Sequence, residues 1–251
     1  MRKALFILVL LISYFGFSQN ETLFQKATTA YNDGKYDEAI TDYLKIIANG
    51  KHSPELYFNL GNAYYKLNKV APSIYYYEKA LLLNPNDVEL KNNLAYAKNM
   101  TLDAIENLPE TNFKSMYKKV TGYYTFDQWA YINIALILLF VIAYISFRNF
   151  HSATKKRISF IGSLTCLFLS LLAMIAAYLN YSDYKQKKPA IVFEEESIVQ
   201  AEPNNRSQEV FRLHEGTKVY VLDNLNDWYK IKLADGKSGW ISSNDIKLIK
   251  N

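Results

Sequence analysis

The chain has 251 residues, half of them apolar, with 21 Tyr and 14 Phe against nine Gly and six Pro. That excludes a disordered, collagen-like or low-complexity protein, and the length allows one or two soluble domains. The net charge of +5 is unevenly spread: residues 1–19 carry +2, 20–126 are neutral, 127–188 carry +5 and 189–251 carry −2. The positive excess flanks apolar segments, so neither soluble portion is basic and no nucleic-acid partner is expected. A single cysteine, Cys166, permits no internal disulfide or multi-thiolate site, and His52, His151 and His214 are scattered. No metal or cofactor is expected.

Residues 1–18 begin with Arg2 and Lys3, continue through an apolar stretch and end in Gly16-Phe17-Ser18. This is the layout of a secretory signal peptide, either cleaved after Ser18 or kept as an uncleaved signal anchor, and both readings export the chain beyond that point. Farther on, residues 129–147 and 158–181 contain no charged side chain. Each is long enough to cross a hydrocarbon core of about 30 Å. Trp129, Tyr131, Tyr178, Tyr181 and Tyr184 mark their ends, as aromatic residues do at a lipid–water boundary. The joining loop, 148–157, holds Arg148, Lys155, Lys156 and Arg157 and is expected in the cytoplasm. Lysines also flank the outer ends of both spans, so the signal peptide decides the orientation. Both soluble portions are expected in the periplasm, anchored to the inner membrane by a two-helix hairpin.

Self-similarity dominates the N-terminal portion. A shift of 34 residues superposes Ala27 on Gly61, Ala39 on Ser73, Tyr43 on Tyr77 and Ile46 on Ala80. Gly34 and Asn68 suit the left-handed turn that ends a helix. Ala27, Ala39, Gly61 and Ala80 are small where paired helices cross, and Tyr43, Tyr64 and Tyr77 fill the gaps between pairs. The segment 54–87, with Tyr57, Leu60, Gly61, Tyr64, Ser73, Tyr77, Ala80 and Pro85, resembles the tetratricopeptide repeat. The resemblance implies an all-α domain over 20–108, with repeats 20–53 and 54–87 and a polar capping helix over 87–106. It further implies a concave, partner-binding face carrying Phe24, Tyr31, Phe58, Asn62, Tyr65 and Asn93. Asn62 and Asn93 match the family's carboxylate-clamp pattern, but Phe58 stands at the clamp lysine's place. An apolar or aromatic ligand therefore fits better than an acidic tail. Residues 109–128 read either as a linker or as an interfacial helix, with Phe113, Met116, Tyr117 and Val120 between Lys114, Lys118 and Lys119.

After Lys188 the helical period gives way to β-branched alternation, with turn signals at Gly216, Asp235-Gly236 and Gly239. The stretch from Glu215 to Ile241 resembles the bacterial SH3 domain, which implies a small all-β barrel over 189–251. The expected core is Val219, Val221, Tyr229, Ile231, Trp240 and Ile241. Trp228, Tyr229 and Trp240 are candidates for an aromatic groove, with Trp228 the best surface residue. The carboxylates Glu194–Glu196 read as a solvated run before the barrel.

No phosphate loop, HExxH helix, GxSxG elbow or CxxC pair occurs in the sequence, and it reads as a non-enzyme. The order of parts (signal peptide, repeats, two-span hairpin, SH3-like barrel) resembles the BatE family of the Bacteroides aerotolerance operon in the Bacteroidetes. That resemblance implies a non-catalytic inner-membrane adaptor beside von Willebrand A-domain proteins and a MoxR-type ATPase, linked to oxidative-stress tolerance. The alternative is a cell-wall sensor or anchor that binds peptidoglycan.

Overall fold

The structure, a computed structural model, describes residues 20–106 and 112–250. The expected signal peptide lies outside the described residues. The chain divides into two compact units. One is Pro109–Lys187, and the other unites the helices before it with the strands after it.

The helices of the larger unit are α1 (residues 20–32), α2 (Tyr36–Ala48), α3 (Pro54–Lys66), α4 (Val70–Leu83) and α5 (Val88–Lys98). Local chemistry sets their ends. The Ser53 hydroxyl accepts from the Leu56 amide at 3.1 Å with Pro54 in the first turn, and Asp87 caps α5 through the Leu90 amide at 3.0 Å. Gly34 and Asn68, one period apart, both turn the chain with positive φ. Ala27, Ala39 and Ala80 are fully buried at helix crossings. At Gly61 an added Cβ would lie 2.5 Å from the Tyr77 ring. Ser73, where the repeat family favours alanine, is buried with its hydroxyl donating to the Gly61 carbonyl at 2.9 Å.

Helix α5 buries Leu90, Leu94 and Ala97 as expected, but it ends at Lys98 and not at Glu106. The missing stretch leaves the helix and runs along the barrel, where Ile105 packs against the barrel core. Partners distant in sequence override a short helical pattern there.

The C-terminal strands are β1 (Lys188–Val192), β2 (Glu196–Gln200), β3 (Glu209–His214), β4 (Lys218–Leu225), β5 (Trp228–Lys232), β6 (Ser238–Ser242) and β7 (Ile246–Leu248). They form one antiparallel sheet in the order β3-β2-β6-β5-β4-β1-β7. Ala190, Val192, Val199, Leu213, Val219, Val221, Ile231 and Ile241 build its core. Two expectations need correction. Glu194–Glu196 are exposed as expected, but they follow β1 instead of preceding the barrel, and Glu196 opens β2. Trp240 is absent from the core, because its neighbours Gly239 and Ile241 take the inward positions of β6 and turn it outward.

In the smaller unit, α6 (Asn112–Thr121) precedes two long helices, α7 (Phe126–Asn149) and α8 (Ala153–Gln186). Both are long and apolar enough to cross a membrane. They pack along their lengths through Ser163, Ser170, Ala173 and Ala176 of α8, small side chains that let backbones approach. The Ser170 hydroxyl donates to Asn133 of α7 at 2.7 Å. The expected ten-residue loop shrinks to Phe150–Ser152, because its basic half, 153–157, continues as the first turns of α8. Lysine and arginine are good helix formers and sustain the helix beyond its apolar part.

Candidate partner-binding surfaces

The six residues expected on the concave face lie on alternate helices: Phe24 and Tyr31 on α1, Phe58, Asn62 and Tyr65 on α3, and Asn93 on α5. All six are half-buried. They form two equivalent clusters, one per repeat. In the second, the Tyr77 hydroxyl donates to Asn62 Oδ1 at 2.6 Å, and Asn93 Nδ2 donates to the same oxygen at 3.0 Å. The Phe58 ring lies 6.1 Å from that of Tyr77. One period earlier, Tyr43 hydrogen-bonds Thr28 at 3.0 Å, with Phe24 at 5.6 Å from its ring. Tyr65 packs beside the second cluster, whereas Tyr31 meets Tyr36 edge-on at 5.3 Å.

Burial pushes the Tyr77 hydroxyl well above its ordinary range, so it remains a neutral donor. The sequence marks Tyr77 only as a gap filler; its role as the hydrogen-bonding centre of the face is visible in the fold. Phe24, Tyr31, Phe58 and Tyr65 are each partly buried and partly exposed, whereas Tyr43 and Tyr77 are fully buried. Such a surface can anchor apolar side chains beside polar amides.

The barrel supplies the second surface. Lys230 pairs with Trp240 across β5 and β6, Trp228 pairs with Ser242, and Leu225 pairs with Trp228 across β4 and β5. Register thus sets Trp228, Lys230 and Trp240 on one outer face, with the Lys230 ammonium 5.9 Å from the Trp240 ring centre. Tyr229, opposite Ile241, packs against the core. Of the three groove candidates, Trp228 and Trp240 come together and Tyr229 does not join them.

A further group of residues, not foreseen from sequence, joins repeats to barrel. Asp103 accepts from the His214 amide at 2.7 Å, contacts His214 Nδ1 at 2.7 Å, and accepts from the Thr217 hydroxyl at 2.5 Å. Buried Glu78 on α4 bridges Lys98 at 3.0 Å and Lys218 at 2.5 Å. Burial would raise both carboxyls. For Glu78, Lys218 and Lys98 outweigh it; for Asp103, the donors from Thr217 and His214 do, and both end below the ordinary carboxylate range. Gly216 has φ +85°, and an added Cβ would lie within 3.0 Å of Thr101, Val70 and Ile74. The Tyr75 and Phe193 rings meet edge-on at 5.6 Å. The barrel thus rests on α4 and the strap after α5, while the six half-buried face residues lie on α1, α3 and α5 around Tyr43 of α2 and Tyr77 of α4.

Among the described residues, no three His, Cys, Asp or Glu side chains are grouped so as to hold a metal ion.

Comparison with family models finds a tetratricopeptide repeat over residues 54–87, a TPR repeat over residues 30–68, and a bacterial SH3 domain over residues 198–247. No curated protein matches the chain. The protein therefore combines tetratricopeptide repeats, two long apolar helices and an antiparallel all-β domain of the bacterial SH3 type. Repeats and barrels of these kinds are interaction domains, suited to binding proteins or cell wall.

Proposed function

We propose that this protein is a non-catalytic adaptor of the BatE type, held in the inner membrane by α7 and α8 with repeats and barrel in the periplasm. The observation that supports the reading is the single unit made by repeats and barrel, in which the barrel packs against α4 while the half-buried aromatic and amide residues lie on α1, α3 and α5. A body assembled from both ends of the chain lies on one side of a membrane, and two spans between its halves permit that. Phe24, Tyr31, Phe58, Asn62, Tyr65 and Asn93 are the docking residues, with Tyr77 beneath them. The partners are membrane proteins of the same operon, the von Willebrand A-domain proteins and the MoxR-type ATPase system.

Mild detergent solubilisation of the full chain, followed by identification of co-purifying proteins, tests this. Recovery of those partners from wild type supports the adaptor role. A chain that purifies alone under several mild detergents overturns it.

The outward turn of Trp240 beside Trp228 and Lys230 favours a second reading, a barrel that binds peptidoglycan. Co-sedimentation with purified sacculi, lost in W228A/W240A, would support it.

A further inference from the structure

Within the hairpin, one side chain keeps unused hydrogen-bonding capacity. Asn133 lies one turn inside the first uncharged span, and Ser170 stands near the middle of the second. Asn133 Oδ1 accepts from the Ser170 hydroxyl at 2.7 Å. A side-chain amide has two N–H donors as well, and its oxygen can accept a second bond. Among the described residues, no group accepts from Asn133 Nδ2. With α7 and α8 in a bilayer this donor sits in hydrocarbon, where an unpaired polar group is strongly disfavoured.

Asn133 and Ser170 line a groove of about 370 Å³ between α7 and α8, and the rest of its lining is apolar. On α8, Leu164, Leu167, Leu171 and Met174 follow it at spacings of three, four and three residues, each about half exposed. That is the spacing by which one helix seats its side chains against another. Acyl chains are apolar enough for the groove but bring no acceptor for the amide. The occupant that meets both demands is a transmembrane helix carrying an acceptor at the level of Asn133.

A second copy of this chain brings that acceptor by construction. Two copies inserted in the same orientation hold Asn133 at the same depth. A carboxamide is also complementary to itself, so each Nδ2 can donate to the other Oδ1 at the lone pair Ser170 leaves unused. Rotation by half a turn about the membrane normal closes such a pair. We propose that the protein forms a two-fold dimer in the membrane through this groove, with the two Asn133 side chains in reciprocal hydrogen bonds. This goes beyond the adaptor role and depends only on membrane insertion of α7 and α8.

The test uses the full chain with C166S, labelled with a donor or an acceptor fluorophore at the exposed position S152C. Both forms are mixed in phosphatidylcholine vesicles over a range of protein-to-lipid ratios. Energy transfer should fall on dilution along a monomer–dimer curve. N133L should raise the dissociation constant about tenfold, the loss of two bonds between helices. S170A also breaks the bond within the hairpin but keeps the amide, and it should leave the constant nearly unchanged. Transfer no greater than random encounter at every ratio overturns the dimer and assigns the groove to acyl chains or another protein's helix. A dimer indifferent to N133L, or weakened equally by S170A, overturns the role of the amide pair. Extraction of the chain from membranes by alkaline carbonate would overturn insertion itself, and the dimer with it.

Discussion

Gly61 and Asp103 show how single atoms decide this structure. A methyl group at Gly61 meets the Tyr77 ring at 2.5 Å, and that ring is held from behind by Asn62. The ring cannot yield without breaking the hydrogen bond, so G61A should cost about 1–3 kcal/mol by overpacking. Gly162, on α8, has nothing within 4 Å of the same added atom. G162A should be neutral or slightly stabilising, because alanine restricts the unfolded chain. Denaturant unfolding of the full chain in detergent would separate the two.

Asp103 receives three donors from the barrel, so D103A should leave buried donors unpaired, at a cost of about 2–4 kcal/mol. The same carboxyls predict an acid limb. Asp103 and Glu78 are lowered from ordinary values of 3.8 and 4.5, so their stabilising contribution is present above those values. It is lost as pH falls through the lowered folded values. Acid unfolding followed by tryptophan fluorescence should therefore steepen below about pH 4.5 in wild type. D103N/E78Q should lower stability at neutral pH and flatten that limb. An unchanged limb would mean that other carboxylates control acid unfolding.

At the scale of elements, the repeats were legible because their periodic residues meet one another locally. Tyr43 with Thr28 and Tyr77 with Asn62 repeat one bond at the sequence period. Strand β1 was not legible as a strand for the opposite reason. Ala190 and Val192 enter the barrel core while Ile191 packs against the helices, so both faces are buried and no alternation appears. The outward turn of Trp240 depends on register with β5, which the local sequence does not encode. The candidate site divides in the same way: its concave residues follow from the repeat, whereas the Asp103 and Glu78 contacts need partners more than 100 residues away.

If the concave face docks partners, F58A/Y65A should abolish co-purification, since desolvated aromatic anchors typically cost more than about 2 kcal/mol each when truncated. Both side chains are half-buried, so some stability is lost as well, but less than from G61L, which drives a bulky side chain into the crossing. W228A should reduce partner yield less. Full yield from F58A/Y65A, combined with loss on deleting residues 189–251, would transfer docking to the barrel.

For the whole molecule, the union of the two chain ends constrains topology more tightly than loop charges do. Basic residues stand near both ends of both spans, so the positive-inside rule alone gives a narrow margin. The contacts of Asp103 and Glu78 with His214, Thr217 and Lys218 require residues 20–106 and 188–250 to share one compartment. An odd number of spans between them would prevent those contacts. The prediction is read with single cysteines in C166S, placed at Glu21 on α1, Asn224 on β4 and Ser152 between α7 and α8. An impermeant maleimide added to cells with a permeabilised outer membrane should label positions 21 and 224. Position 152 should react only once the inner membrane is opened. Labelling of 152 alone would invert the orientation while preserving the unit. Labelling of 21 without 224, or the reverse, would place the halves on opposite sides, and the barrel could then not rest on α4.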